Sequence, residues 1–348
     1  MATVARQPRV HSWRGSESPP GASLPGDFAP YTDRQTLTLA ATASRWLVIA
    51  IVVLAAGPIV GLPAMSAPAA LLIAGLGLAA GVPHGAIDHL TATRLTGGTS
   101  IVVVSGAYAA LAAATWAVMA WVGPVALMAV VALSALHFGL GELEVSRQLT
   151  GWRPAPVIAA AIVVAGCGAL LLPLARSGEQ LAEVASAVSP DIAQLIGSTP
   201  VQTSLVVVWL VAAMAAVAAA LWSGYRAVAL DLVLVGLLGT LAPPLVAFAL
   251  WFGGWHALRH YGRILTIEPG CAALVAAGRR RAAVRRFIGL AAWPSVAALA
   301  VVAALGWITV VAPDPATLIA EALRVLLALT VPHMVVVLWL DRSPLSGK

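Results

Sequence analysis

Charge is scarce in this chain: Asp, Glu, Lys and Arg together make up 10% of its 348 residues. A water-soluble domain carries roughly a quarter, so a soluble globule is excluded. Cysteine is scarcer still. Cys167 and Cys271 are the only two, one in an apolar run and one in a basic loop, which excludes a disulfide framework and any CxxC metal or redox motif. A metal here must use other ligands. Lysine is absent until Lys348, and a rhodopsin-type pigment, which needs an intramembrane lysine for its Schiff base, is excluded with it. The net charge of +6 comes from arginines next to apolar spans, without interleaved aromatics. That pattern suits membrane topology or attraction to anionic lipid, and no nucleic-acid partner is expected.

What the chain has instead is apolar length. Hydrophobic residues make up 60%, and the mean hydropathy is +0.93. Runs of about 20 apolar residues, enough to cross a hydrocarbon core of roughly 30 Å, read as spans at Leu47–Val60 (extended at either end), Ala67–Leu90, Ile101–Val122, Pro124–Leu143, Pro156–Leu174, Leu205–Trp222, Gly289–Val311 and Leu318–Leu340. The stretch Ala229–Ile264 is too long for one straight helix and is divided at Gly239, Pro243 and Pro244, with Ala229–Leu241 the weaker half. The expected fold is an all-α polytopic transmembrane helix bundle of about 8–10 spans, most simply ten. Residues 1–44 read as a disordered basic tail, 45–341 as a multi-span membrane domain, and 342–348 as a C-terminal tail. No secretory signal appears before Leu47, so the N-terminal tail is expected to be retained.

Arginine placement orients the spans. Arg279, Arg280, Arg281, Arg285 and Arg286 fill one loop, and short loops carry Arg94, Arg147, Arg153 and Arg226. These are expected to be cytoplasmic, and the acidic Arg176–Thr203 loop external. Ten spans then place both termini in the cytoplasm of a multi-pass cell-membrane protein.

Apart from His11, every histidine falls in or at the end of an apolar span: His84, His89, His137, His256, His260 and His333. Ionisable groups at membrane depth are costly and by default mark function. One alone is as well read as a helix-to-helix hydrogen bond, but six at one depth favour a shared site. His256 and His260, spaced i,i+4, project from one helical face and form a ligand pair. Asp88 has the same spacing from His84 and reads as the carboxylate that orients its ring. His89, about 140° further round a helix, points elsewhere. Imidazoles without thiolates suit iron, copper or zinc, and four with open positions fit a non-haem Fe(II) that also binds oxygen. Glu142, next to the His137 segment, reads as a further group behind the ligands or, more often for an acid at a span end, as simply solvated. Phe138, Trp251, Phe252 and Trp255 read either as the lining of a substrate cavity or as an interfacial aromatic belt. Bis-histidine haem ligation and a proton- or metal-coupled transporter are the competing uses of these histidines.

Four motifs, PHGAIDH (Pro83–His89), HFG (His137–Gly139), WHALRH (Trp255–His260) and PHM (Pro332–Met334), follow one another on apolar spans. In order and spacing they resemble the Brp/Blh family of membrane β-carotene 15,15′-dioxygenases, over roughly Leu47–Leu340. The resemblance implies cleavage of the central double bond of β-carotene by O2 to two molecules of retinal, with Fe(2+) as cofactor. Carried over by motif, the metal ligands fall on His84, His137, His256 and His260. His333 matches a family motif without a ligand role, which leaves it to the substrate cavity or to orienting a ligand, with Asp88, Phe138 and Trp255. Membrane lipid is the expected surroundings, and no motif identifies a protein partner.

Overall fold

The computed structural model describes residues 34–176, 186, 190–311 and 315–343. The N-terminal tail up to residue 33, most of the acidic loop and the last five residues lie outside them. Helices dominate in chain order: α1 (Arg34–Ala56), α2 (Ala67–Gly81), α3 (Asp88–Leu95), α4 (Ile101–Val122), α5 (Pro124–Thr150), α6 (Pro156–Gly166), α7 (Gly168–Arg176), α8 (Pro190–Gly197) and α9 (Thr199–Trp222). They continue with α10 (Arg226–Leu241), α11 (Pro244–Leu250), a π-helical turn (Trp251–Ala257), α12 (Leu258–Ile267), α13 (Pro269–Ala276), α14 (Arg280–Val311) and α15 (Pro315–Arg342). The all-α bundle is as expected. Residues 34–44, read from sequence as the end of the tail, are helical and continuous with the first span.

Local chemistry sets the ends. Pro occupies the first turn of α2, α5, α6 and α13, where its missing N–H is no loss. Ser100 caps α4 by accepting from the Val102 amide at 3.3 Å, and α5 ends on Gly151 at φ 75°, a left-handed turn that glycine takes without strain.

Among the described residues six helices are long and apolar enough to cross a membrane, or seven counting α6 and α7 as one span bent by 50°. The count covers the described residues alone; α10, with 16 residues, falls short of the roughly 20 that a crossing needs, whereas the expected Gly289–Val311 span lies on the helix α14. The α6–α7 bend also has a local cause. Trp209 of α9 donates its indole N–H to the Ala165 carbonyl at 3.0 Å, and a Cβ on Gly168 would lie 2.5 Å from that indole nitrogen. The ring therefore wedges into the break. Leu, Val and Trp side chains stand exposed along the outer faces, among them Leu72, Val102, Trp121 and Trp222, as a lipid-facing surface requires. Trp46, Trp121, Trp222 and Trp293 are the most exposed of the described tryptophans and are suited to a lipid interface.

Inside, the bundle closes around charge. Arg259 of α12, 1% exposed, reaches Glu142 of α5 at 3.3 Å and Asp231 of α10 at 3.2 Å, and its Nε donates to Ser44 of α1 at 2.9 Å. Asp231 also receives Arg45 of α1 at 2.6 and 3.0 Å. Two carboxylates thus meet two guanidiniums, a neutral cluster that ties four helices together. Glu142, expected to be solvated, is instead 2% exposed. A second ionic node sits beyond α12, where Glu268 accepts from the Cys271 amide and from Arg94 at 3.0 Å, with Arg286 at 3.3 Å.

Breaking a buried ion pair on one side strands its partner at a cost of about 3–5 kcal/mol. Arg259→Met, which leaves two carboxylates facing Arg45 alone, should therefore lower the thermal midpoint in detergent severely. Adding Glu142→Gln restores balance and should recover more than half of the loss; an equal loss in single and double variants would refute the charge account.

Glu268 supplies a pH dependence outside the spans. Burial pushes its carboxyl up, but hydrogen bonds from Arg286, Cys271 and Arg94 outweigh it and hold the value at about 2. Because the folded value lies below the unfolded one, the stabilisation is full above about pH 4.5 and is lost as pH falls towards 2. Unfolding followed from pH 6 to 3 should show a loss of about 2 kcal/mol that Glu268→Gln lacks, the variant being weaker at pH 6 and flatter below.

Candidate metal centre

The His84 motif is not one helix. α2 stops at Gly81, a 3-10 turn covers Val82–His84, and α3 starts only at Asp88. The His84 Nδ1–H donates to the Gly81 carbonyl. Since a carbonyl oxygen only accepts, Nδ1 carries the proton and Nε2 keeps the lone pair. The broken helix also overturns the expected pairing of Asp88 with His84, because i,i+4 proximity holds only inside a continuous helix. Asp88 binds His333 instead, with Oδ2 to Nδ1 at 2.8 Å.

His256 and His260 lie on the segment that contains the π-helical turn, a feature often found at functional sites. The turn Trp251–Ala257 is entirely buried. Its glycines explain how α2 comes so near: a Cβ on Gly253 would sit 1.9 Å from the Gly77 carbonyl oxygen, and one on Gly81 would meet the Phe252 ring at 2.0 Å. The two imidazoles stack, with centroids 6.5 Å apart and planes 7° from parallel, so they share a face. α5 contributes His137. On the α5 turn beyond it, a Cβ on Gly139 would lie 2.2 Å from the Val163 carbonyl and one on Gly141 3.3 Å from the His256 ring, which lets α5 press against α6 and the π turn together.

These elements bring the four expected ligands together, and His333 with them. The His84 ring lies 5.5 Å from His256, 6.0 Å from His260 and 4.5 Å from His333. His137 lies 5.4 Å from His256 and 5.1 Å from His333, and His260 lies 5.7 Å from His333. One nitrogen from each of His84, His256 and His333 falls within a 4.8 Å group. That is within an ångström of the roughly 4.2 Å separating opposite ligands on an ion with metal–nitrogen distances near 2.1 Å. His89 is half-buried and joins none of these ring contacts.

The nitrogens fit a metal on another count. His137, His256, His260 and His333 each have a buried Nε2 without a hydrogen-bond partner. A buried polar atom left unmatched costs on the order of 1–3 kcal/mol. Four on converging side chains are explained together by a shared cation that accepts their lone pairs.

The surroundings are aromatic and buried. Phe138 stands 5.0 Å from His256 and 4.5 Å from Trp251, and Phe252 meets His84 edge-on at 5.1 Å. Trp255 has another task than the lining or belt expected for it. Its indole N–H donates to Glu142 at 2.6 Å, and the Arg259 guanidinium lies 3.5 Å above its ring, which makes it part of the ionic cluster. Sequence reasoning passes over Arg45, Asp231, Arg259 and Tyr108. The first three carry the available signal, since each is a charge within an apolar stretch.

Comparison with known proteins agrees with this geometry. A family model described as beta-carotene 15,15′-dioxygenase matches residues 75–341. The "Probable beta-carotene 15,15′-dioxygenase Blh" of Halobacterium salinarum is 32% identical over 351 residues, covering 92% of this chain and 98% of that protein. No solved structure matches. With most of its length, including the four histidine motifs, inside that match, the chain belongs to the beta-carotene 15,15′-dioxygenase family.

Proposed function

We propose that the protein is a membrane-embedded dioxygenase that uses Fe(II) and O2 to split the central 15,15′ double bond of β-carotene into two molecules of retinal. The observation that carries this reading is the convergence of buried, unpartnered imidazole nitrogens from separate helices against an apolar wall, in a chain of this family. His84, His137, His256 and His260 would hold the ion through neutral nitrogens, which leaves positions open for oxygen. Iron would supply the redox chemistry with O2. The reaction balances without a reductant: one carbon–carbon double bond is broken, two carbonyl bonds form, and both oxygen atoms end in the aldehydes.

The protein's own contribution is placement and dryness. The Gly81 carbonyl fixes the tautomer of His84, and the stacked His256 and His260 are held by the π turn and α12. Phe138, Trp251 and Phe252 exclude water from the imidazoles, which limits side reactions of an oxygen-activating centre. The polyene is itself confined to the hydrocarbon core and would enter laterally, between helices. Arg94, Arg147, Arg153, Arg226 and the Arg279–Arg286 loop would face the cytoplasm.

β-Carotene-producing cells expressing the chain should accumulate retinal, whereas the His256→Ala/His260→Ala double variant should accumulate none above background by chromatography. With 18O2, both aldehyde oxygens should be labelled when exchange with water is suppressed, and removal of iron by a chelator should abolish turnover until Fe(II) is restored. Unchanged β-carotene despite verified membrane expression and iron supply would overturn the reading.

A further inference from the structure

His333 is the histidine that the family resemblance leaves without a ligand role, yet it occupies the middle of the cluster. Its ring approaches His84, His137 and His260 at 4.5, 5.1 and 5.7 Å. It is 4% exposed, and its Nε2 is buried without a hydrogen-bond partner. The opposite ring nitrogen is well served. Nδ1 lies 2.8 Å from Asp88 Oδ2, and the same carboxylate oxygen accepts the Tyr108 hydroxyl at 3.2 Å. Asp88 is itself 3% exposed.

We propose that His333 is a further ligand of the metal centre, with Asp88 and Tyr108 as the positioning residues that hold it in its ligating tautomer. The Asp88 carboxylate accepts the Nδ1–H hydrogen bond and so keeps the ring proton on Nδ1; Nε2 then presents its lone pair to the cluster, and the hydrogen bond makes that nitrogen a better donor. This is the arrangement in which metal-bound histidines recur, and loss of the outer partner typically costs 10- to 100-fold in metal affinity. The grouping of one nitrogen each from His84, His256 and His333 within 4.8 Å puts His333 among the nearest candidates. Three elements distant in sequence build the unit: α3 gives Asp88, α4 gives Tyr108 and α15 gives His333. Tyr108 also reaches the Leu329 carbonyl of α15 at 3.4 Å. The pair lies against Gly85, where a Cβ would be in ordinary van der Waals contact with Asp88 Oδ2 at 3.4 Å and His333 Nδ1 at 3.5 Å.

The proposal rests on the metal-centre reading above, and the test separates the two. Purified full-length protein is loaded anaerobically with Fe(II), its affinity is measured by chelator competition, and the visible spectrum of the Co(II)-substituted form is recorded. Wild type should bind one ion. Asp88→Asn, which keeps the side-chain shape, should bind Fe(II) about 10- to 100-fold more weakly, and His333→Ala more weakly still. The cobalt bands should shift in both, and added imidazole should return the His333→Ala spectrum towards wild type. If wild type binds no metal, the centre itself is wrong and this proposal falls with it. If wild type binds iron but Asp88→Asn stays within twofold of it with an unchanged cobalt spectrum, the role of His333 is overturned while the dioxygenase reading stands. The Asp88→Asn comparison decides between these outcomes whether or not His333→Ala folds.

Discussion

A guanidinium buried in the bundle is tolerable only if its charge is matched, and Arg259 is the residue around which that condition is met. It sits between Glu142 and Asp231, against the Trp255 ring, with Ser44 as a further acceptor. Desolvating four ions costs more than their attraction returns unless the geometry is good and the remaining hydrogen-bonding sites are filled. The constraint therefore acts less as a source of stability than as a demand on position. α12 can sit at few rotations relative to α1, α5 and α10 that leave none of these charges unpaired.

That demand is transmitted to the histidine cluster through covalent neighbours. Trp255 and Arg259 alternate with His256 and His260 along the same stretch of chain, so fixing the first pair towards Glu142 fixes the second pair on another side. Glu142 does the same for α5, where His137 lies one to two turns earlier. The π turn sets the offset. Its additional residue, compared with regular α-helix, adjusts the phase between Trp251 and His256, and its glycines let α2 bring His84 against them. Two layers result: a neutral ionic layer that locks helix rotation, and an imidazole layer placed by that lock.

Much of this is legible in the sequence, for reasons of cost. Histidines at membrane depth are conspicuous because each has to be justified, and the rings of His84, His137, His256 and His260 lie in one cluster with His333, within which the nitrogens of His84, His256 and His333 form the close group. What fails is the use of regular-helix geometry where the backbone is irregular. The i,i+4 spacing pairs Asp88 with His84, but the 3-10 turn at Val82–His84 removes the premise. The π turn cannot be told from regular helix by hydropathy, because Trp, Phe, Gly, His and Ala in the sequence WFGGWHA fit either helix type. Residue type alone makes Trp255 a lining or belt residue, although its indole N–H has to find an acceptor once buried. Arg45 and Asp231 are readable by the same argument as the histidines but merge into span ends. Their partners lie on other helices, and no local pattern links position 45 to position 231.

The pairing of His333 with a carboxylate, where His84 has only a carbonyl, bears on charge as well as orientation. Neutral imidazoles leave the charge of a divalent ion uncompensated, and an uncompensated charge in a low-dielectric interior is expensive. The ionic layer offers no relief, since its two acids and two bases already cancel. Asp88 differs from those acids. Its two hydrogen bonds come from an imidazole and a phenol, and neither donor brings a full positive charge while the imidazole is neutral. On the proposed centre, the Asp88 carboxylate and the cation therefore stabilise one another across the His333 ring. This explains why an acid is kept in the apolar layer, and why it lies beside His333 rather than in the ionic cluster.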